Sequence, residues 1–464
     1  MTPQSLYSLR VVPLLLCSAA LYPATATTVL AQTPAPDHSL RDTDWNRFRG
    51  PTAQGVAADN PNLPTTWSQS ENIQWQVDVP GWGWSCPIVV GDRVWLTTVV
   101  SDSDNEEPKK GLYLGQGVRE PAKGNHKWLV ICYDLKSGKE LWQRVAHEGK
   151  PTVPRHPKST YASETPTTDG QRLYVLFGDV GLFCYDLDGN LLWKHPIRPR
   201  RTMADYGAAA SPVVHGNQVF VVYDNQEDSF VASFDTESGE QIWRRQRNEK
   251  STWATPYIWE QAEQTMLVVC GKQENVAYDM QGDVIWHFDG AMSNLVIPSP
   301  FAVDDLLYIT SGYIGDAHRP VYAVRSSARG NISLADGETN NSAIAWYLPK
   351  AGPYNPSPIV YQGRYYTLFD RGFMTCHDAV SGAEVYGRTP FARGATFTAS
   401  PWAYNGMLFF LSEDGDTYVV RAGEEFELLA TNSLDELCLA TPAVSGGRLL
   451  IRTASKLYCI SSQQ

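Results

Sequence analysis

Apolar and polar positions alternate along most of this chain in short runs, and each run is closed by a turn. NIQWQV (Asn72–Val77) and the pair flanking Gly91–Asp92 in SCPIVVGDRVWL are examples. A period of two residues is that of a half-buried β-strand, and Gly–Asp or Asn–Gly between two such runs closes a hairpin. The runs come in sets. CYDLKSGKELW (Cys132–Trp142) returns as CYDLDGNLLW (Cys184–Trp193), SFDTESGEQIW (Ser233–Trp243), AYDMQGDVIW (Ala277–Trp286) and CHDAVSGAEVY (Cys376–Tyr386). A second signature opens each set, a proline before an apolar strand, at Pro87, Pro166, Pro212, Pro256, Pro300, Pro358, Pro401 and Pro442. Most of these prolines lie 41–46 residues apart. Eight units of four strands at that period predict an all-β fold, an eight-bladed β-propeller of four-stranded antiparallel blades. The last unit has three strands, and NIQWQV is a strand without a unit. The N-terminal strand is therefore expected to complete the last blade and close the ring, which leaves no open edge.

Within the repeat, the Asp at 134, 186, 235, 279 and 378 precedes a turn with Gly at 138, 189, 239, 282 and 382. A carboxylate there accepts turn N–H groups and the glycine supplies positive φ. The Trp at 75, 142, 193, 243, 286 and 346 is expected to wedge between neighbouring blades with its indole N–H on a backbone carbonyl. Three segments break the period. Ser101–Trp128 falls between the second and third strands of the first blade. Ala146–Ser163 joins the first two blades, and Ser326–Asn341 replaces the tight turn of the fifth.

Ahead of the repeats, residues 1–31 read as a signal peptide: Arg10, an apolar stretch Val11–Tyr22, then small residues to Ala31. Residues 32–71 form an arm whose DWNRFRGP (Asp44–Pro51) packs on the body through Trp45 and Phe48, and residues 72–464 are the propeller. No later segment is apolar for long enough to span a membrane. This predicts a periplasmic or secreted protein, read as a monomer. The net charge of -12 opposes nucleic-acid binding. Seven cysteines follow the leader, with no CxxC among them. Cys132, Cys184, Cys376 and Cys459 share one repeat position with Ser233 and Ala277, which makes them small buried strand residues rather than ligands or half-cystines.

The full pattern, S/T-P-x-V-x-x-G-x-x-Y/F followed by Tyr-x-apolar-Asp-x-x-(S)-G-x-x-x-Trp, resembles the PQQ-like propeller repeat over residues 72–464. Quinoprotein alcohol dehydrogenases carry that repeat, as do non-catalytic BamB-like scaffolds of outer-membrane assembly. The resemblance implies PQQ and Ca²⁺ as the cofactors a catalytic member would take. Such a member has adjacent cysteines over the quinone, a Trp beneath it, and Glu, Asn and Asp around the calcium. This chain has no Cys–Cys pair and no CxxCH.

Any site is expected at the channel mouth formed by the loops that enter the innermost strands. Trp82, Trp84, Tyr161, Tyr206, Trp253, Tyr354 and Phe397 would supply an aromatic funnel there. Glu164, Asp205, Asn294, Asn355 and Arg393 would supply polar groups, and Arg371 would reach the same side from a loop between second and third strands. GxSxG, HExxH and phosphate-loop glycine motifs are absent, so no catalytic residue is named. The expected function is an exported, non-catalytic propeller that binds a partner protein or small ligand at this face. The alternatives are a PQQ-dependent alcohol or sugar dehydrogenase and a BamB-like outer-membrane assembly factor.

Overall fold

A computed structural model of the chain describes Leu9 and residues 40–103, 106–112 and 118–462. The predicted signal peptide lies outside the described residues, Leu9 apart. The described residues form eight antiparallel sheets that together make an eight-bladed propeller. Blade 1 runs from inside to outside as Ile88–Val90, Arg93–Ser101, His126–Asp134 and Glu140–Gly149. Blades 2 to 7 open in turn with Thr167–Thr168, Val213–His215, Tyr257–Glu260, Phe301–Val303, Ile359–Tyr361 and Trp402–Tyr404. Blade 8 is built from Ala443–Ser445, Arg448–Arg452 and Lys456–Ile460, and its outer strand is Ile73–Asp78 from the other end of the chain. Closure by the N-terminal strand is thus as the sequence predicts.

Adjacent blades are joined by a repeated contact. Each indole N–H reaches a carbonyl of the next blade: Trp75 to Leu135 (2.9 Å), Trp142 to Leu187 (3.1 Å), Trp193 to Thr236 (3.0 Å), Trp243 to Met280 (2.9 Å) and Trp346 to Ala379 (3.1 Å). The ring lies on the turn glycine of that next blade. A Cβ on Gly138 would stand 2.7 Å from Trp75, and one on Gly239 would stand 2.5 Å from Trp193. The turn glycine is therefore fixed twice, by its φ of 72° at both positions and by the indole over it. Within its own blade, each Trp faces the small repeat residue across the ladder: Cys132 opposite Trp142, Cys184 opposite Trp193, Ser233 opposite Trp243. Cys86, Cys132, Cys184, Cys270, Cys376, Cys438 and Cys459 are free and buried.

Trp286 is the exception. It is fully buried and its Nε1 has no hydrogen-bond partner among the described residues. The blade it points toward, blade 5, is the one whose tight turn is replaced by the insertion. That insertion folds back instead, and Gly330–Asn331 adds a fifth, parallel strand beside Trp286 and His287.

Candidate functional site: a channel closed at one end

The residue before each repeat proline lies at the channel wall, and its side chain is a hydroxyl at seven of the eight positions. These residues hydrogen-bond in series around the channel, each of seven backbone N–H groups donating to the next blade's hydroxyl. Cys86 donates to Thr165 (3.0 Å), Thr165 to Ser211 (2.9 Å), Ser211 to Thr255 (3.0 Å) and Thr255 to Ser299 (3.0 Å). Ser299 donates to Ser357 (3.0 Å), Ser357 to Ser400 (2.9 Å) and Ser400 to Thr441 (2.9 Å). The eighth position carries the Cys86 thiol in place of a hydroxyl. Proline supplies no N–H of its own at the next position, so the preceding residue carries the inter-blade bond. The sequence signal was the Ser or Thr ahead of each Pro.

The N-terminal arm crosses the lower end of this ring. Trp45 pairs with Val89 of blade 1, Asn46 with Thr168 of blade 2, and Val56 with Ala403 of blade 7. Gln54 donates to Ala302 of blade 5 and Arg49 to Pro358 beside blade 6. Phe48, between these anchors, forms the floor of a cavity of about 230 Å³. The channel is a blind pocket.

Its upper wall carries Trp84, Tyr206, Trp253 and Tyr354, with Asn355 among them. Local bonds fix their orientation. The Trp84 indole donates to Lys158 O (2.8 Å), the Trp253 indole donates to Gly207 O (2.7 Å), and the Tyr206 ring lies tilted against Trp253 with centroids 6.0 Å apart. Both long insertions of the first blades reach across the mouth. Lys158 bonds Glu413 (2.5 Å) and Thr398 (2.8 Å) of the far side, and Glu413 also accepts the Gly111 N–H (2.7 Å). Lys110 pairs with Asp414 beside it. These bonds place Leu112 among Met203, Trp253, Leu295 and Tyr354. Lys158 and Glu413 are both buried, so the pair is close to neutral overall. Burial, then the charges of Lys158, Arg119 and Arg155, pushes His156 down to about 4 and leaves it uncharged at neutral pH.

The other residues named from sequence sit elsewhere. Trp82 pairs with Val99 as an extension of blade 1. Tyr161 packs against Trp128 and gives its hydroxyl to Val153 O (3.1 Å), and Phe397 is fully buried beside Phe391 and Tyr418. Asp205 is held by Arg201 (2.7 Å) and by the Arg119 N–H (2.9 Å). Exposed Asn294 bonds Asp316 and Lys272. Glu164 is buried behind the wall and accepts the Gly178 N–H (2.9 Å). Arg371 and Arg393 are exposed and together line a separate hollow of about 550 Å³ that shares Leu112 with the pocket. Sequence reasoning missed Phe48, His156, Lys158, Leu112 and Thr398, because each belongs to an arm, insertion or loop whose partner lies far along the chain.

A closed ring of tandem β-blades around a blind pocket defines a repeat propeller of the PQQ-like class. The profile described as outer membrane protein assembly factor BamB matches residues 56–252 and 126–386, and the chain belongs to that family. No curated protein matches it in sequence. Among solved structures it is similar to BamB from Moraxella catarrhalis, at 12% identity, TM-score 0.56, with 84% of this chain and 97% of that chain covered. It is similar to a europium-containing methanol dehydrogenase at 10% identity, TM-score 0.60, covering 91% and 98%. It also resembles the quinohemoprotein alcohol dehydrogenase of Comamonas testosteroni, at 12% identity, TM-score 0.57, covering 92% and 81%.

The residues present do not fit the cofactors of the dehydrogenase branch. A calcium ion takes about six to eight converging oxygens. Glu164, Asn294 and Asp205 do not converge on the cavity wall; each is occupied by the partners given above. A quinone tricarboxylate needs cations, and the ammonium on the wall, Lys158, is already neutralised by Glu413.

Proposed function

We propose that this protein is an exported binding propeller whose blind channel takes a small uncharged ligand with an apolar ring face and polar edges. The observation that carries this reading is the pocket itself: about 230 Å³, floored by Phe48, walled by four aromatic side chains and rimmed by hydroxyls. Aromatic walls with a few oriented polar groups suit stacking and hydrogen bonding together. The neutral Lys158–Glu413 pair and uncharged His156 disfavour a charged guest. The test is a thermal-shift and tryptophan-fluorescence screen of neutral sugars, sugar alcohols and aromatic alcohols against the purified protein and Trp253→Ala. Saturable binding lost in the variant supports the reading. Binding of none of these classes, or binding unchanged in Trp253→Ala, overturns it.

A partner protein on the same face is the second reading, favoured by the BamB family match over residues 56–386. Pull-down from envelope membranes with wild type and Arg371→Glu/Arg393→Glu separates it from ligand capture. Reconstitution with PQQ and Ca²⁺ followed by dye reduction with alcohols tests the dehydrogenase branch, and turnover there would overturn the non-catalytic reading. Among the described residues no helix is long and apolar enough to cross a membrane. Export through a cleaved leader is checked by N-terminal sequencing of the mature protein.

A further inference from the structure

At the outer edge of blade 4, an imidazole and two carboxylates meet. Glu274 stands just before the third strand, Asn275–Tyr278, while His287 lies on the outer strand, Val284–Phe288, and Asp289 follows it. One ligand atom from each lies within 4.8 Å of the other two. Glu274 Oε1 is 2.7 Å from His287 Nδ1, an ion-pair contact without hydrogen-bond geometry. That nitrogen is shut off from solvent and has no hydrogen-bond partner among the described residues. The nearby cations are committed elsewhere: Lys272 bonds Asn294 (2.7 Å) and Arg247 bonds Asp224 (3.0 Å). Beside the cluster opens a cleft of about 520 Å³, bounded by Glu249, Lys272, Glu274, Tyr278 and Asp289. The surrounding chain holds the three groups in place. Buried Glu249 accepts the N–H groups of Lys272 (3.0 Å), Gln273 (2.9 Å) and Glu274 (2.9 Å), which fixes the turn that carries Glu274. The insertion of blade 5 secures the other two. The Ile332 N–H donates to His287 O (2.9 Å), and the Asp289 N–H donates to Ser333 Oγ (3.0 Å). At the matching positions blade 3 has Phe230 and Arg244, in a cation–ring contact of 4.4 Å, so the repeat itself does not call for a Glu–His pair here.

A buried ring nitrogen left unsatisfied calls for a partner, and two carboxylates sharing one point favour a positive charge between them. An imidazole nitrogen with two carboxylate oxygens is a donor set for a first-row divalent metal such as zinc. It is unlike the all-oxygen shell of about six to eight ligands that calcium takes. We infer that Glu274, His287 and Asp289 bind one zinc-class divalent cation at the outer edge of blade 4. Three protein ligands leave a coordination position open, and the adjoining cleft has room for water there. Glu249, Ile332 and Ser333 are positioning residues, since they orient the ligands without being ligands themselves. The cation ties the third strand to the outer strand and to the insertion behind it, in the blade whose Trp286 has no carbonyl to anchor it. It lies outside the channel and is independent of what the pocket binds.

The test uses the untagged purified protein, stripped with EDTA and titrated with Zn²⁺ alone by calorimetry. One equivalent should bind, and the melting temperature should rise by about 1–3 °C at saturation, as expected for a ligand that binds only the folded state. Ca²⁺ and Mg²⁺ at the same concentration should produce neither effect. His287→Ala and Asp289→Asn, at partly exposed positions, should each weaken Zn²⁺ binding about tenfold or more. Circular dichroism of the metal-free variants checks that both remain folded, and if His287→Ala does not, Asp289→Asn carries the test. His215→Ala removes another surface His–Glu contact (3.2 Å) and should leave the affinity unchanged. Absence of saturable Zn²⁺ binding overturns the inference. So does binding that survives intact in the folded variants, or that is lost equally in His215→Ala.

Discussion

At the scale of single residues, the repeat glycines separate two demands that sequence alone merges. Gly239 and Gly216 both have positive φ, 72° and 56°. At Gly239 a Cβ would also stand 2.5 Å from Trp193, whereas at Gly216 nothing lies within 4 Å. Gly216→Ala should cost about 1 kcal/mol, from backbone strain alone. Gly239→Ala should cost about 2–4 kcal/mol, because strain and a displaced indole add. Urea unfolding of the two variants measures the difference, and equal losses would refute the indole's part in fixing the glycine. Buried carboxylates set a second residue-level expectation. Desolvation pushes Glu164 up to about 8, and Asp179, its neighbour, up to about 7. Their folded pKa values lie above the unfolded ones. The stability they contribute is complete below the unfolded carboxylate range, falls progressively as pH rises above it, and is lost once pH has passed about 7 to 8. Melting temperature should fall across that window, and Glu164→Gln should flatten part of the fall.

At the scale of elements, the arm and the insertions do what the blades cannot. Blade strands repeat, so they make a symmetric ring, whereas a pocket needs a floor and an asymmetric mouth. The floor is the arm, held by Trp45 at 2% exposure. Trp45→Ala should cost about 3–5 kcal/mol, read by urea unfolding. The mouth is held by Glu413, fully buried, which joins Lys158, Thr398 and the N–H of Gly111. Glu413→Ala strands a buried ammonium and should destabilise the protein by about 3–5 kcal/mol. Lys158→Met combined with Glu413→Leu should recover much of that loss, because both charges then leave the interior together. A double variant no more stable than Glu413→Ala would show that Lys158 is not the partner that matters. The fifth strand of blade 4 belongs to this scale too. The insertion that deprives Trp286 of a carbonyl acceptor supplies an edge strand in exchange.

For the molecule as a whole, closure is the property to test. Ile73–Asp78 pairs along Lys456–Ile460, and Trp75 lies on Gly138 of blade 1. The first strand therefore joins the last blade to the first as well as completing it. Deleting residues 1–78 should expose the edge of Lys456–Ile460, replace one cooperative unfolding transition by a broader one, and promote association. Size-exclusion chromatography and denaturant melts check this. A monomer with an unchanged transition would mean that closure contributes little.

Much of this architecture is legible in the chain because its determinants are local. Strand alternation has a period of two, turn aspartates lie four residues before their glycines in three of the copies, and the blade period recurs often enough to count. Even the unpaired N-terminal strand pointed to its place, since a three-stranded last unit lacked one. The pocket is different. Lys158 and Glu413 are 255 residues apart, and Arg49 and Pro358 are 309 apart. Aromatic residues in the entering loops could be named in advance, but which ones face the cavity could not. Trp84 and Trp253 turn to the wall, while Trp82 pairs with a strand and Phe397 enters the core, though all four lie in comparable loops. Sequence by itself determined the repeat, the blade and the ring, because backbone pairing and turn chemistry act between near neighbours. The tertiary structure decided that the channel is closed below and strapped above, because those contacts exist only once the ring has brought distant segments to one axis.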